Sequence, residues 1–147
     1  MRKTLAATIA LATFLAACGD DPAEPSIPDV AGNWNYAATS LTGGGITCSF
    51  RNVPMTLAQN GTTFSGAYSG GLLSCTGPGG SLSEQVAGGA VAAGTIDGNS
   101  VQFDIDTSDW RNTGTISGSS MSGTVVVRIN DGTTTFTLAG DFTASRP

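Results

Sequence analysis

The chain has 147 residues, with six basic and eleven acidic side chains, no histidine and one lysine. An acidic chain without a basic run lacks the electrostatic footprint of a nucleic-acid binder. With no histidine and so little lysine and cysteine, few routes to acid–base or nucleophilic catalysis remain, so no enzyme activity, cofactor or metal is expected.

Arg2 and Lys3 precede an apolar run from Leu5 to Leu15, which is too short to span a bilayer and reads as an export signal helix over residues 1–17. The run ends in Leu15-Ala16-Ala17-Cys18-Gly19, which resembles the lipobox of bacterial lipoproteins. In that family the chain is cut before the cysteine, and the thiol is joined to diacylglycerol. The resemblance implies lipidation at Cys18 and a mature chain of four arginines against eleven acids, net −7. Such a chain would be held on a membrane by its lipid rather than by its charge. Gly19, where an Asp would favour the inner membrane, favours the outer one. Residues 18–29 carry three prolines and four acids, and predict a disordered tether. Residues 30–147 then form one domain.

From residue 30 the apolar positions follow a period of two, the pattern of strands with one buried face. The first strand covers 30–39, with Gly32, Trp34 and Tyr36 on one face, and a Gly-rich loop over 40–47 follows. In the second strand, about 48–59, Phe50 is out of phase with Val53, Met55 and Leu57, which predicts a bulge near Asn52 and Pro54. Asn60-Gly61 predicts a hairpin into the third strand, 62–69, with Phe64, Gly66 and Tyr68 inward. A Gly- and Ser-rich loop is expected over 70–85, then a fourth strand of mostly Ala and Gly over 86–97. The fifth strand, 100–106, points Val101, Phe103 and Ile105 inward, and the sixth covers 110–117. The seventh and eighth are read from the alternation of Met121 to Ile129 and of Phe136 to Phe142. Turns are supplied by 97–100, 117–120 and 130–133, and the hairpin at 94–101 is echoed at 114–121. The predicted fold is all-β, an eight-stranded antiparallel up-and-down barrel, because closure removes exposed edges. A two-sheet sandwich is the alternative.

If Gln59 faces Thr62, Cys48 lies opposite residue 73 with Cys75 in reach. In an exported chain these two are expected to form a disulfide. The 117–120 turn makes Gly114 face Gly123, and a turn centred on Asp131-Gly132 makes Gly123 face Gly140, placing three inward glycines side by side at a corner. Alternation also assigns the rims. The turns at Asn60, Gly98 and Gly118 share one rim with both chain ends. Loops 40–47 and 70–85, the Ser108-Asp109 corner and the Asp131-Gly132 turn share the other.

Gly32-x-Trp34 in the first strand, the eight-strand meander and Arg146 at its end resemble the lipocalins and the wider calycin group. The resemblance implies that Trp34 and Arg146 pair to close the tether rim. It also implies a small apolar ligand at the far mouth, within reach of Tyr68, Phe103, Trp110 and Val127. Small calycin-type protease inhibitors of the periplasm share the outline. The alternative is thus an interaction module with a solid core, whose outer loops engage another envelope protein. Asp104 and Asp106 are both expected on the outer face of the fifth strand. Asp104-x-Asp106-x-Ser108-Asp109 is similar to a calcium loop, but Asp109 and Thr115 stand where a glycine and a glutamate belong, so it reads as a solvated strand end. Asn60-Gly61-Thr62 fits a glycosylation acceptor and reads as a turn. Arg111, beside Trp110 at the far rim, reads as part of a cap on the core.

Overall fold

The computed structural model describes residues 26–130 and 134–147, the Ser108 side chain excepted. The expected signal helix, Cys18, most of the expected tether and the expected Asp131-Gly132 turn lie outside the described residues. Ten strands follow in order: β1 (Gly32–Gly43), β2 (Ile46–Asn60), β3 (Thr63–Tyr68), β4 (Gly71–Gly77), β5 (Gly80–Val86), β6 (Gly89–Asp97), β7 (Ser100–Ile105), β8 (Thr107–Ser117), β9 (Ser120–Asn130) and β10 (Thr135–Ser145). Eight of them close an antiparallel up-and-down barrel in the order β1-β2-β3-β6-β7-β8-β9-β10, with β10 paired back onto β1. Alternation places Trp34, Tyr36, Met55, Phe103, Val125 and Phe142 inside.

The segment expected to be a loop, 70–85, is instead a hairpin. Leu72, Leu73 and Val86 give it enough apolar surface to pack, and β4 continues the line of β3 along the same fifteen-residue β2. The register does not change at the join. Asn60 faces Thr63 at one end of β2, and Cys48 faces Cys75 near the other. β5 and β6 continue one another in the same way, so β4 and β5 form the tip of one long hairpin that rises beyond the barrel. The loop expected over 40–47 is likewise short. β1 and β2 run on to Gly43 and Ile46, joined by Gly44 and Gly45 with φ of 58° and 78°, the two positive values that a type I′ turn requires.

Two registers differ from expectation by two residues each. Gln59 faces Phe64, not Thr62, because the β2–β3 turn is centred on Gly61-Thr62 with Asn60 outside it. At the other, Gly123 faces Phe142 and Gly140 faces Val125, since β9 and β10 are first paired at Asn130 and Thr135. The three glycines keep the inward parity of their strands, and Gly114 does face Gly123. There a Cβ on Gly123 would lie 2.4 Å from the Gly114 Cα. Gly140 has moved to a different close approach, where a Cβ would sit 2.6 Å from the Thr39 carbonyl oxygen.

Four non-glycine residues have left-handed φ: Ser40 (55°), Asn52 (55°), Ala93 (50°) and Asp106 (60°). The registers of β1, β2, β6 and β7–β8 shift beside them. The bulge at Asn52 absorbs the phase slip between Phe50 and Val53, and both side chains are buried.

Cys48 and Cys75 are joined by a disulfide across β2 and β4. The closed loop spans a sequence separation of 27, for which the chain-entropy relation gives roughly 3 to 4 kcal/mol. The double variant Cys48→Ala/Cys75→Ala is therefore expected to lose about that much stability in urea titration; an unchanged midpoint would show that the crosslink does not limit the unfolded chain.

Candidate functional site

The interior is filled from the tether rim upward. Residues before β1 cross that end of the barrel. Gln59 Nε2 donates to the Pro28 carbonyl (3.1 Å), its Oε1 accepts from Val30 N (2.6 Å), and Trp34 Nε1 donates to the Val30 carbonyl (2.8 Å). The Arg146 guanidinium carbon lies 4.7 Å from the centre of the Trp34 ring. Its Nη2 donates to the Asp29 carbonyl at 2.6 Å and stands 3.7 Å from the Asp29 carboxylate. Ordered contacts thus begin at Pro28, inside the segment expected to be tether. An open depression of about 540 Å³ beside this entry, between residues 26–29 and the β8–β9 turn, has walls of mixed polarity.

Above this closure an aromatic layer occupies the mid-barrel. Phe103 and Phe142 pack edge to face at 5.5 Å, and Tyr36 stacks on Phe142 at 5.8 Å. The layer is capped by a polar chain that periodicity alone does not reveal. Trp110 Nε1 donates to the Tyr36 hydroxyl (3.4 Å), which donates to Asn112 Oδ1 (2.8 Å), and Asn112 Nδ2 donates to the Phe103 carbonyl (3.4 Å). Asn112 is fully buried. It lies between Trp110 and Gly114 on the inner face of β8, so the strand's parity was its available signal.

At the far rim a cup of about 370 Å³ opens above this chain. Its lining includes Leu41, Leu73, Ile105, Trp110, Val127 and Leu138, with the Cys48–Cys75 disulfide in its wall. Trp110 leans on Phe50 with ring centres 5.3 Å apart. Two of the four expected ligand residues, Trp110 and Val127, thus line the cup, and two do not. Phe103 is deep in the aromatic layer, and Tyr68 is buried against Phe50, its hydroxyl donating to Asp106 Oδ2 at 2.6 Å. Leu73 went unnoticed because it falls in the segment expected to be a loop.

Asp104 and Asp106, near the rim, are already engaged. Asp104 alternates with Phe103 and Ile105 but is buried, not solvated, because Arg111 folds over it (Nε to Oδ1, 3.0 Å). Asp106 does not share its face. The left-handed backbone there turns it towards Tyr68, and its Oδ1 accepts from Ala90 N at 3.1 Å. Gly89 makes room for it, since a Cβ at that position would overlap Oδ1. Among the described residues no three His, Cys, Asp or Glu side chains gather as metal ligands.

Both tyrosines of the chain have phenols held above their ordinary value of 10.0. Burial is the first cause in each case, aided at Tyr68 by the hydrogen bond and charge of Asp106 and opposed at Tyr36 by the Trp110 hydrogen bond. The unfolded chain therefore loses these protons at lower pH than the folded one. The tyrosine contribution to stability is full below about pH 10 and is lost as pH rises above it. The urea midpoint is expected to fall over that alkaline range, with phenolate absorbance appearing together with unfolding. Absorbance that rises in the still-folded protein at ordinary tyrosine pH would contradict this.

No protein-family model, curated protein or solved structure matches this chain, so the barrel and its rim cup rest on their own geometry.

Proposed function

We propose that this protein is an exported envelope lipoprotein, carried on lipid at Cys18 with the outer membrane favoured. Its barrel serves as a binding module rather than an enzyme, and its ligand is a small apolar molecule or an apolar group of that size. The observation that carries the reading is the cup of about 370 Å³ with apolar walls, facing away from the rim where the chain enters. A concave apolar site bordered by a few polar groups is the usual form of a small-ligand site. The filled aromatic layer beneath favours recognition at the rim over storage in a deep calyx. The disulfide supports an oxidising compartment outside the cytosol.

Two measurements test the two halves. Metabolic labelling with a radioactive fatty acid is expected to mark the protein and to vanish in Cys18→Ser; equal labelling of that variant, or none in the parent, would remove the anchor. The neutral dye N-phenyl-1-naphthylamine is expected to bind saturably and to receive energy from Trp110. Val127→Asp should weaken it by about tenfold or more, since it puts a charge into the apolar wall. Circular dichroism would establish that the variant is folded. Absence of saturable dye binding, or equal binding by folded Val127→Asp, would overturn the cup as a site.

A further inference from the structure

At the level of the cup the wall of the barrel is incomplete. β4 stands above β3 and β5 above β6, but β7 ends at Ile105, level with Val91 of β6. Among the described residues β5 pairs only with β4, and no strand pairs with its second edge. The column above β7 is open, a notch one strand wide between β5 and the corner where β8 begins.

The hairpin turn defines what this edge offers. Pro78-Gly79 is a two-residue connection, and Gly77 faces Gly80. In such a hairpin the flanking pair exchanges hydrogen bonds, and alternation then gives Leu82 and Glu84 to β4. The N–H and C=O groups of Ser81, Ser83 and Gln85 are left pointing into the notch. Natural sheet edges are usually blunted by lysine, proline or inward charges. Gly80–Val86 has no lysine or proline, and its one charge, Glu84, stands on the inner face opposite Leu73. The inner face of the hairpin carries Leu73, Cys75 and Leu82, continuous with the cup, and Glu84 opposite Leu73. Leu82 faces Cys75 and is 51% exposed, and Leu73 and Cys75 both line the cup. Among the described residues Asp109 and the hydrogen-bonded Asp106 line the cup with Arg128, and Glu84 stands beside it opposite Leu73.

We propose that an extended segment of another protein, bearing a large apolar side chain flanked by lysine or arginine, adds to β5 as an antiparallel strand above β7. Its backbone pairs with Ser81, Ser83 and Gln85, as in other cases of strand addition. Its inward side chain fills the cup, and its cations meet the carboxylates at the mouth. This rests on the reading of the cup as the binding site and names what occupies it. A peptide strand suits both features at once, because the edge supplies affinity for any backbone and the cup selects the side chain.

The probe is a blocked seven-residue peptide alternating threonine with leucine and ending in lysine on both sides, added to the full chain. Amide exchange at Ser81, Ser83 and Gln85 is expected to slow about tenfold or more, while that at Leu82 and Glu84, already bonded to β4, stays the same. Ser83→Pro removes one edge N–H without touching the β4–β5 ladder. It should weaken the peptide about tenfold and leave N-phenyl-1-naphthylamine binding intact. Excess dye should displace the peptide. Dye binding without peptide protection would overturn the strand addition and leave the cup standing, whereas loss of both would remove the cup as well. Equal peptide affinity in Ser83→Pro would also overturn it. So would protection of the same three amides that grows with protein concentration alone, since the occupant would then be a second copy of this chain.

Discussion

One register runs the length of β2, and most of what is distinctive in the molecule depends on it. Because β3 and β4 lie on the same fifteen-residue rail without a slip between them, the hairpin above the barrel is an extension of its wall and not a loose loop. That continuity sets Cys48 opposite Cys75, so the crosslink joins residues that the ladder already holds together. It also carries Leu73 over the mouth, which turns the flat end of a small barrel into a cup. A change of register at Ser69 would have displaced the disulfide and left the mouth shallow.

The division between filled and open interior has an equally local cause. An eight-stranded barrel is just wide enough for its own side chains to fill, and here Tyr36, Phe103 and Phe142 do so. The buried Asn112 sets a polar group between this layer and Trp110 on the inner face of β8. Its amide must be satisfied, and it is, by the Tyr36 hydroxyl and the Phe103 carbonyl. Hydrogen bonds thereby hold Tyr36 and Trp110 at a fixed height, below the mouth. From Trp110 upward the smaller Leu41, Val127 and Leu138 line the cup with it, and space remains.

Strand existence and inward parity were legible from the residues, because period-two alternation survives even where glycine replaces a large side chain. Register was less legible, and the reason lies in turn chemistry. Asn60-Gly61 invited a type I′ reading with both residues central. Instead Gly61, Gly98 and Gly118 each take the first central position, with φ of 55–60°, and the second central residue is not left-handed, as a type II′ connection requires. The Gly98 and Gly118 turns were centred correctly because their flanking residues are symmetric, whereas at Asn60 the dipeptide drew the centre one position early. Half of the site was hidden for another reason. Tyr68 has the parity of a lining residue, but it packs on Phe50, and Asp106, turned by its left-handed backbone, holds its phenol. The Leu72-Leu73 pair is too short a signal, among glycines and serines, to separate a hairpin from a loop.

The clamp at the chain entry bears on how the molecule responds to force. The backbone before β1 is gripped by Gln59 of β2 and by Arg146 just past β10, and β1 lies between these same two strands. A pull on the segment leading to Asp29 would therefore not peel β1 from an edge one hydrogen bond at a time. It would load both ladders of β1 in shear, so that many bonds must fail together. For a domain hung by its amino terminus from a surface, the end that carries the tension is also the end where the barrel is most tightly fastened.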